Sequence, residues 1–350
     1  MGYRVIQWAT GNVGRAAVEG VRSHPELELV GCWVHSEKKS GRDVGELCGL
    51  GPMGVAASSD VDALLGMEAD CILYSPLMGQ TPDVIRMLEA GKNVVTPLGW
   101  FYPFDSVDVK EIEAACARGG TTLHGTGIHP GGITERFPLM VSGLSRDIRH
   151  VRAEEFSDIR SYNAETVVKE IMLFGKTPEV ARKSPMLTML GTGFCQSIDM
   201  VAHALGMELD TGKKATHEMA VATRDIETPI GTLAAGTVAA QRFTWQGLIR
   251  GEPVMTVRVN WLMGEEGFDP PWTLGEERFE VDVDGDPPVR LTFHGLHPET
   301  WQAGLERNSG IVATANHCVS AIPATCQAEP GIRTYLDLPL YTGKAAPDLR

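Results

Sequence analysis

The sequence predicts an α/β protein in two parts, a doubly wound parallel sheet followed by an α+β domain with an open sheet. Three observations predict it. Short β-prone runs alternate with helical periodicity up to Gly125, a glycine turn joins the first run to the first helix, and beyond Gly132 the β-prone runs lengthen and a hairpin signal appears. At 350 residues the chain suits two domains of roughly 150 residues each.

Residues 3–8 (YRVIQW) form a β-prone run that ends at Ala9-Thr10-Gly11-Asn12-Val13-Gly14, and 15–23 then carry apolar residues at helical spacing until Pro25. The run 27–34 (LELVGCWV) completes a βαβ unit, whose strands the crossover rule makes parallel. Runs 70–74 and 92–96 read as strands buried on both faces, separated by a helix over 82–90 that stops at Gly91. A helix over 107–118 ends at Gly119-Gly120, before a strand over 121–125. After Gly132 the pattern predicts a helix over 134–142 and strands over 151–156, 230–243 and 253–261. A hairpin pairs 278–283 with 289–294 around Asp284-Gly285-Asp286-Pro287-Pro288. Ser309 caps a helix with Ile311, Val312, Ala315, Val319 and Ile322 on one face, which returns to the first domain. The expected domains are therefore 1–132, completed by 309–350, and 133–308. An open sheet has a face to cover and edges to protect, so a homodimer interface is expected there.

Composition narrows the function. With 43% apolar, 22% charged and 7% aromatic residues, the chain is an ordinary globular one. Asp and Glu exceed Lys and Arg by 45 to 31, and a net charge of -14 repels phosphates, which argues against nucleic acid and anionic membranes as partners. No apolar run approaches the roughly 18 residues that span a bilayer. The start lacks an apolar segment followed by a small-residue cleavage site, so a cytoplasmic location is expected. The seven cysteines are scattered with no CxxC pair, against both a disulfide framework and a thiolate zinc site. The ten histidines include no HExxH, and no metal is expected.

The glycine turn reads A-x-G-x-x-G, with Ala9 in the place of the first glycine. Gly11 stands where the backbone must approach a pyrophosphate and Gly14 where helix and strand pack closely, while the helix N-terminus offers free N–H groups to the anion. Thr10, Gly11, Asn12, Val13 and Gly14 are thus the expected pyrophosphate contacts of a dinucleotide. An acid at the end of the second strand would accept from a ribose 2′-OH. Val34 and His35 stand there instead, followed by Ser36-Glu37-Lys38-Lys39-Ser40-Gly41-Arg42. Ser36 with Lys38 or Lys39 matches a 2′-phosphate and favours NADP, while Glu37 leaves NAD open. Ser75 and Pro76, Thr96, and Gly127 lie in loops leaving the later strands and are the expected contacts of the nicotinamide half.

The segments VIQWATGNVGR, HSEKKSGRDVGEL, GTGIHPGGITERFPL, SYNAETVVKEIMLFG and AIPATCQAEPGIRTYLDLP resemble the group that holds 2,4-diaminopentanoate dehydrogenase and the native amine dehydrogenases, distant relatives of dihydrodipicolinate reductase. The resemblance spans nearly the whole chain. It implies a Rossmann-type domain, a dimerising α+β domain, NAD(P)H, and a substrate cavity between domains in which hydride passes between nicotinamide and a carbonyl or imine carbon. The paired-histidine motif of true dihydrodipicolinate reductases is absent, so that reaction is disfavoured. Amine dehydrogenases of the group use a glutamate in the loop after the strand at 92–96. Here that loop reads Pro97-Leu98-Gly99-Trp100-Phe101-Tyr102-Pro103-Phe104-Asp105, without a glutamate.

Hydride addition to a carbonyl leaves an oxyanion that must be stabilised or protonated. The candidates are Tyr102, His129, Tyr162 and Asp105, the last also the expected N-cap of the next helix. Trp100, Phe101 and Met140 point to an apolar pocket and a small, mainly apolar substrate. Two readings follow: an NAD(P)H-dependent oxidoreductase, or a catalytically silent NADP-binding sensor that kept the nucleotide pocket.

Overall fold

The run Tyr3–Trp8 forms strand β1, and the chain turns directly into helix α1, Asn12–Ser23. The helix starts three residues earlier than its apolar spacing indicates, inside the glycine turn. Strand β2, Leu27–Trp33, lies parallel to β1. Helix α2 (Val44–Leu47), strand β3 (Ala57–Ser58) and helix α3 (Val61–Leu65) follow. Then come β4 (Cys71–Tyr74), α4 (Thr81–Glu89), β5 (Asn93–Thr96), α5 (Val109–Gly119) and β6 (Thr122–Gly125). The computed structural model describes residues 2–105 and 108–350, so the expected helix start at Val107 lies outside the described residues. The cap of α5 is Asp108 and not Asp105, which is exposed in the preceding turn.

Beyond Gly132 a π-helical turn, Gly132–Arg136, leads into α6 (Phe137–Ser142), so only the second half of the expected helix is regular. The long strand β7 (Arg146–Asp158) precedes α7 (Pro178–Arg182) and α8 (Met186–Ala204). Strands β8 (Lys214–Ala222), β9 (Ile226–Thr228), β10 (Gly231–Leu233), β11 (Val238–Ile249) and β12 (Glu252–Leu262) come next. The single strand expected over 230–243 is broken between β10 and β11. Gly236 there takes a φ of 81°, and the Ala235 N–H donates to Asp225 Oδ1 at 2.9 Å rather than to a ladder. Strands β13 (Phe268–Asp269), β14 (Arg278–Asp286) and β15 (Val289–Phe293) and helix α9 (Trp301–Glu306) complete this part. β14 and β15 pair antiparallel, as the turn chemistry between them indicates. Helix α10 (Ser309–Gln327) and strand β16 (Gly331–Ile332) follow, and one 3-10 turn, Pro347–Leu349, lies near the C-terminus.

The chain divides into two compact units, Met1–Gly132 with Ile311–Arg350, and Ile133–Gly310. In the first, a seven-stranded sheet runs β16-β6-β5-β4-β1-β2-β3, and each neighbouring pair is parallel. Alternate strand residues serve opposite layers. Val5, Cys71, Leu73 and Val95 pack against α1 and α10, whereas Ile6, Ile72, Tyr74 and Val94 pack against α3, α4 and α5. Strand order reverses between β4 and β1, which opens a crevice at their carboxyl ends.

The second unit is a mixed seven-stranded sheet, β13-β8-β11-β12-β7-β14-β15, in which only β12 and β7 pair in parallel. Helix α8 covers one face. Phe194 stacks on Trp245 with centroids 4.8 Å apart, and the Trp245 indole N–H donates to the Leu187 carbonyl at 3.2 Å. Gly191 makes this approach possible, since a Cβ there would lie 2.8 Å from Trp245 Nε1. The other face carries charge: Arg152 pairs with Glu154, with Asp282, and with Glu280 at 2.9 Å. Phe243, fully buried, stacks between His217, at 4.1 Å, and Trp245. Phe243→Ala is expected to cost about 3–5 kcal/mol, read as a fall in the urea midpoint; an unchanged midpoint contradicts this packing.

Candidate functional site

The crevice of the first unit is built around a turn held from below by Gln7. This wholly buried side chain on β1 places Nε2 3.1 Å from the Trp8 carbonyl, 3.0 Å from the Ala9 carbonyl and 2.8 Å from Ser75 Oγ. It ties the end of β1 to the start of the loop after β4. Ala9 has a φ of 78°, the left-handed backbone that the absent first glycine would favour. For an alanine that conformation costs about 1 kcal/mol. Its N–H donates to the Trp33 carbonyl at 2.9 Å, which fixes the turn against β2. Gly14 has no such latitude, because a Cβ there would lie 2.2 Å from the Ala9 carbonyl oxygen. Gly11, the N-cap of α1, is extended at φ -71° with open space around it. The turn thus leads directly into a helix N-terminus, where an anion is favoured by both hydrogen bonding and the helix dipole.

Past β2 the segment Glu37–Lys39 makes one 3-10 turn. That turn separates the two lysines. Lys39 folds back and its Nζ donates to Thr10 Oγ1 at 3.2 Å, whereas Lys38 and Glu37 are exposed. Ser36 is half-buried and its carbonyl accepts the Lys39 N–H at 2.9 Å. A cation thus stands beside the glycine turn at the end of the second strand, with no acid at that point.

The later loops converge on the same end of the sheet. Ser75 Oγ donates to the Trp8 carbonyl at 3.3 Å, and Pro76 follows, half-buried. Thr96 is buried, its Oγ1 accepting the Leu98 N–H at 3.2 Å and its carbonyl accepting the Thr126 N–H at 2.9 Å. A Cβ on Gly125 would lie 2.3 Å from the Gly99 carbonyl, so the loops after β5 and β6 touch. Tyr102 is half-buried and meets Phe104 edge-on at 4.8 Å, while Phe101 is core. His129 is half-buried in a turn closed by Ile128 and Gly131. The structure thus gathers Tyr102, Asp105 and His129 on two loops of one unit.

Tyr162 belongs to the other unit, where it ends a 3-10 turn after β7. Burial, and then the charge of Glu155, push its phenol up. Sequence reasoning missed the polar group around it. Glu155 Oε1 accepts from Ser157 Oγ at 2.7 Å and from the Trp261 indole N–H at 2.9 Å. Ser157 has one proton, so with that donated it accepts from His297 Nε2–H at 2.9 Å. Nearby, Glu277 Oε1 accepts the Asp158 N–H at 2.7 Å, and burial, with Asp158 and Glu155, pushes its carboxyl up to about 7. Met140 on α6 is 53% exposed.

The comparisons fit this geometry. The model of the 2,4-diaminopentanoate dehydrogenase C-terminal domain matches residues 133–347. The chain belongs to that family. The model of the dihydrodipicolinate reductase N-terminus matches residues 5–95, the part that carries the glycine turn and Lys39. An amine dehydrogenase of Streptomyces virginiae is 31% identical over 96% of each chain. A 2,4-diaminopentanoate dehydrogenase of Acetoanaerobium sticklandii is 27% identical over 66% of this chain and 61% of its own. Among solved structures, the amine dehydrogenase of Mycobacterium smegmatis shares the fold, with a TM-score of 0.77 at 21% identity over 98% of each chain. The family is one of dehydrogenases, as the resemblance in the sequence implies.

Two outcomes test the site's construction. Gly14→Ala is expected to lower the melting temperature through a clash worth about 1–3 kcal/mol, whereas Gly11→Ala leaves it near wild type; equal effects contradict the described turn. The raised carboxyl of Glu277 binds its proton more tightly folded than unfolded. Its stabilising neutral form is therefore lost as pH climbs from the ordinary 4.5 through about 7. Glu277→Gln should gain on the wild type in urea midpoint between pH 5 and pH 8, and a difference that does not vary with pH contradicts the burial.

Proposed function

We propose that this chain is an NADP(H)-dependent oxidoreductase that passes hydride between nicotinamide and the carbonyl, imine or amine carbon of a small, mainly apolar substrate. The observation that carries the reading is Lys39 seated on Thr10 beside the glycine turn, in a member of a dehydrogenase family. The residues fit the cofactor: a Gly14 without room for a Cβ, an open Gly11, and a cation where an acid would select NAD. When bound, the nicotinamide supplies or accepts the hydride. Amides of Asn12, Val13 and Gly14 hold the diphosphate, with Thr10 and Gly11 shaping the approach. Lys39 and Ser36 hold the 2′-phosphate, and Lys38 adds charge from the rim. Ser75, Pro76, Thr96 and Gly127 border the nicotinamide end.

For the proton, Tyr102 and His129 are the leading groups, since both are half-buried on the loops after β5 and β6. Tyr162, its phenol pushed up, keeps its proton and acts as a hydrogen-bond donor. Asp105 is exposed and is the weakest of the four. Exposed Leu77 and Met78 after β4 and Leu98 after β5 make the rim apolar, in keeping with an apolar substrate. A homodimer formed through the second sheet and a cytoplasmic location are part of the proposal; no described helix is long and apolar enough to cross a membrane. The lack of a glutamate among residues 97–105 favours one other reading, a nucleotide-binding sensor without turnover.

NADPH oxidation against aldehydes, ketones, and ketones with ammonia separates these. Turnover supports the enzyme, and its dependence on ammonia decides between amine formation and carbonyl reduction. Tight NADPH binding without turnover supports the sensor. In either case Lys39→Ala is expected to weaken NADPH about 10- to 100-fold and to leave NADH nearly unchanged; equal losses for both remove the NADP assignment.

A further inference from the structure

Behind β6 lies a polar cluster that the reading above does not use. It joins His124 and Thr126, at the end of that strand, to His317 on α10 and to Tyr335 and Tyr341 of the C-terminal segment. His124, Thr126 and Tyr341 are buried; His317 and Tyr335 are half-buried. Three rings reach the Thr126 hydroxyl, those of His317, Tyr335 and Tyr341, and His124 joins through Tyr341: His317 and Tyr335 are nearly parallel at 6.0 Å, and His124 meets Tyr341 edge-on at 6.0 Å.

The direction of each hydrogen bond follows from the two carbonyls at the cluster's ends. His124 Nδ1 is 2.7 Å from the Arg333 carbonyl, which only accepts, so Nδ1 carries the proton. In the neutral imidazole Nε2 then accepts, and the Tyr341 O–H donates to it at 3.2 Å. With that proton committed, Thr126 Oγ1–H donates to the Tyr341 oxygen at 3.1 Å, and the Tyr335 O–H donates to Thr126. His317 Nδ1–H donates to the Gly127 carbonyl at 2.6 Å, and Thr126 Oγ1 lies 3.5 Å from the same nitrogen, which joins His317 to the chain. A carbonyl passes no proton on, so this chain orients groups and does not conduct protons.

What it orients is the loop after β6. The Gly127 carbonyl accepts both His317 Nδ1–H and the Gly132 N–H, the latter at 2.9 Å, and so holds the loop closed from two sides. Gly131 crosses so near that a Cβ on it would lie 2.2 Å from the same oxygen. Neither lone pair of this carbonyl is left for a ligand. We propose that His317, backed by the Tyr335–Thr126–Tyr341–His124 chain, is a positioning residue that fixes the loop 127–132, with His129 on it, at the nicotinamide end of the cofactor site. The proposal rests on the cofactor reading above and adds to it a group remote from the phosphates.

Equilibrium binding of NADPH and of 2′-phospho-ADP-ribose, which lacks the nicotinamide, tests it on the full chain. His317→Leu should weaken NADPH about tenfold and leave the fragment within about twofold, because the phosphate cradle is untouched. His317→Asn, whose amide N–H falls where the imidazole Nδ1–H was, should recover most of the NADPH affinity. Tyr335→Phe keeps the ring, loses the O–H and should shift the ratio the same way by less, which keeps the test open if the leucine variant does not fold. Equal weakening of both ligands, an unchanged ratio, or an asparagine variant no better than leucine overturns the proposal. Wild-type protein that binds neither nucleotide overturns the cofactor reading, and this proposal with it.

Discussion

The first unit depends on one close contact, the Ala9 carbonyl lying where a side chain on Gly14 would be. That contact brings α1 hard against the end of β1, so the helix begins inside the turn and its first amides point out over the sheet's carboxyl edge. Gln7 holds the turn from beneath, and it does so through Ser75 as well, so the first and fourth strands end in register at the point where strand order reverses. Ala9 accepts a strained backbone to make this possible. A local conformational cost of this kind persists where surrounding bonds over-determine the geometry, and here the Trp33 carbonyl and the Gln7 amide do so.

Charge is arranged on the same logic. The chain is acidic as a whole, yet the side chain that folds back beside the turn is a lysine, Lys39, fixed by a hydroxyl of the turn itself. An anionic ligand would therefore meet a local positive region in a repelling background, which sharpens selection for its position. The second unit does the opposite. Several carboxylates there are buried or half-buried, Glu154 paired with arginine on one face of the sheet and Glu155 and Glu277 satisfied by Ser157, the Trp261 indole and a backbone amide on the other.

Much of the first unit was legible in the sequence because its signals are local. A glycine turn after a β-prone run, and apolar runs stopped by Gly91 and Gly119-Gly120, need no knowledge of distant residues. The two-residue strands β3 and β16 were not legible, since pairing to a neighbour and not their own pattern makes them strands. Helix α8, Met186–Ala204, was missed although Thr188, Thr192, Gln196, Asp199 and His203 recur at helical spacing, because Gly191 and Gly193 interrupt the run with residues that disfavour a helix. At the site, the glycine turn and the 36–39 segment were readable from residue type and position. The choice of Lys39 over Lys38 was not, for it depends on a single 3-10 turn. Gln7, Glu155 and His317 gave no signal, because each matters through a partner far away in the chain, Ser75, Trp261 and Gly127 respectively, and His297 stood out only as one of a close histidine pair with His294. His317 sits on a helix whose apolar face drew attention, and only the fold shows that its other side reaches the Gly127 carbonyl.

The central claim is that the turn at residues 9–14 cradles a diphosphate with a 2′-phosphate beside Lys39. A crystal structure of the chain grown with NADP tests it most directly. The account predicts diphosphate oxygens on the Asn12 and Val13 amides and the 2′-phosphate within hydrogen-bond reach of Lys39 Nζ. A nucleotide bound elsewhere, or one whose ribose 2′ end points away from Lys39, contradicts it.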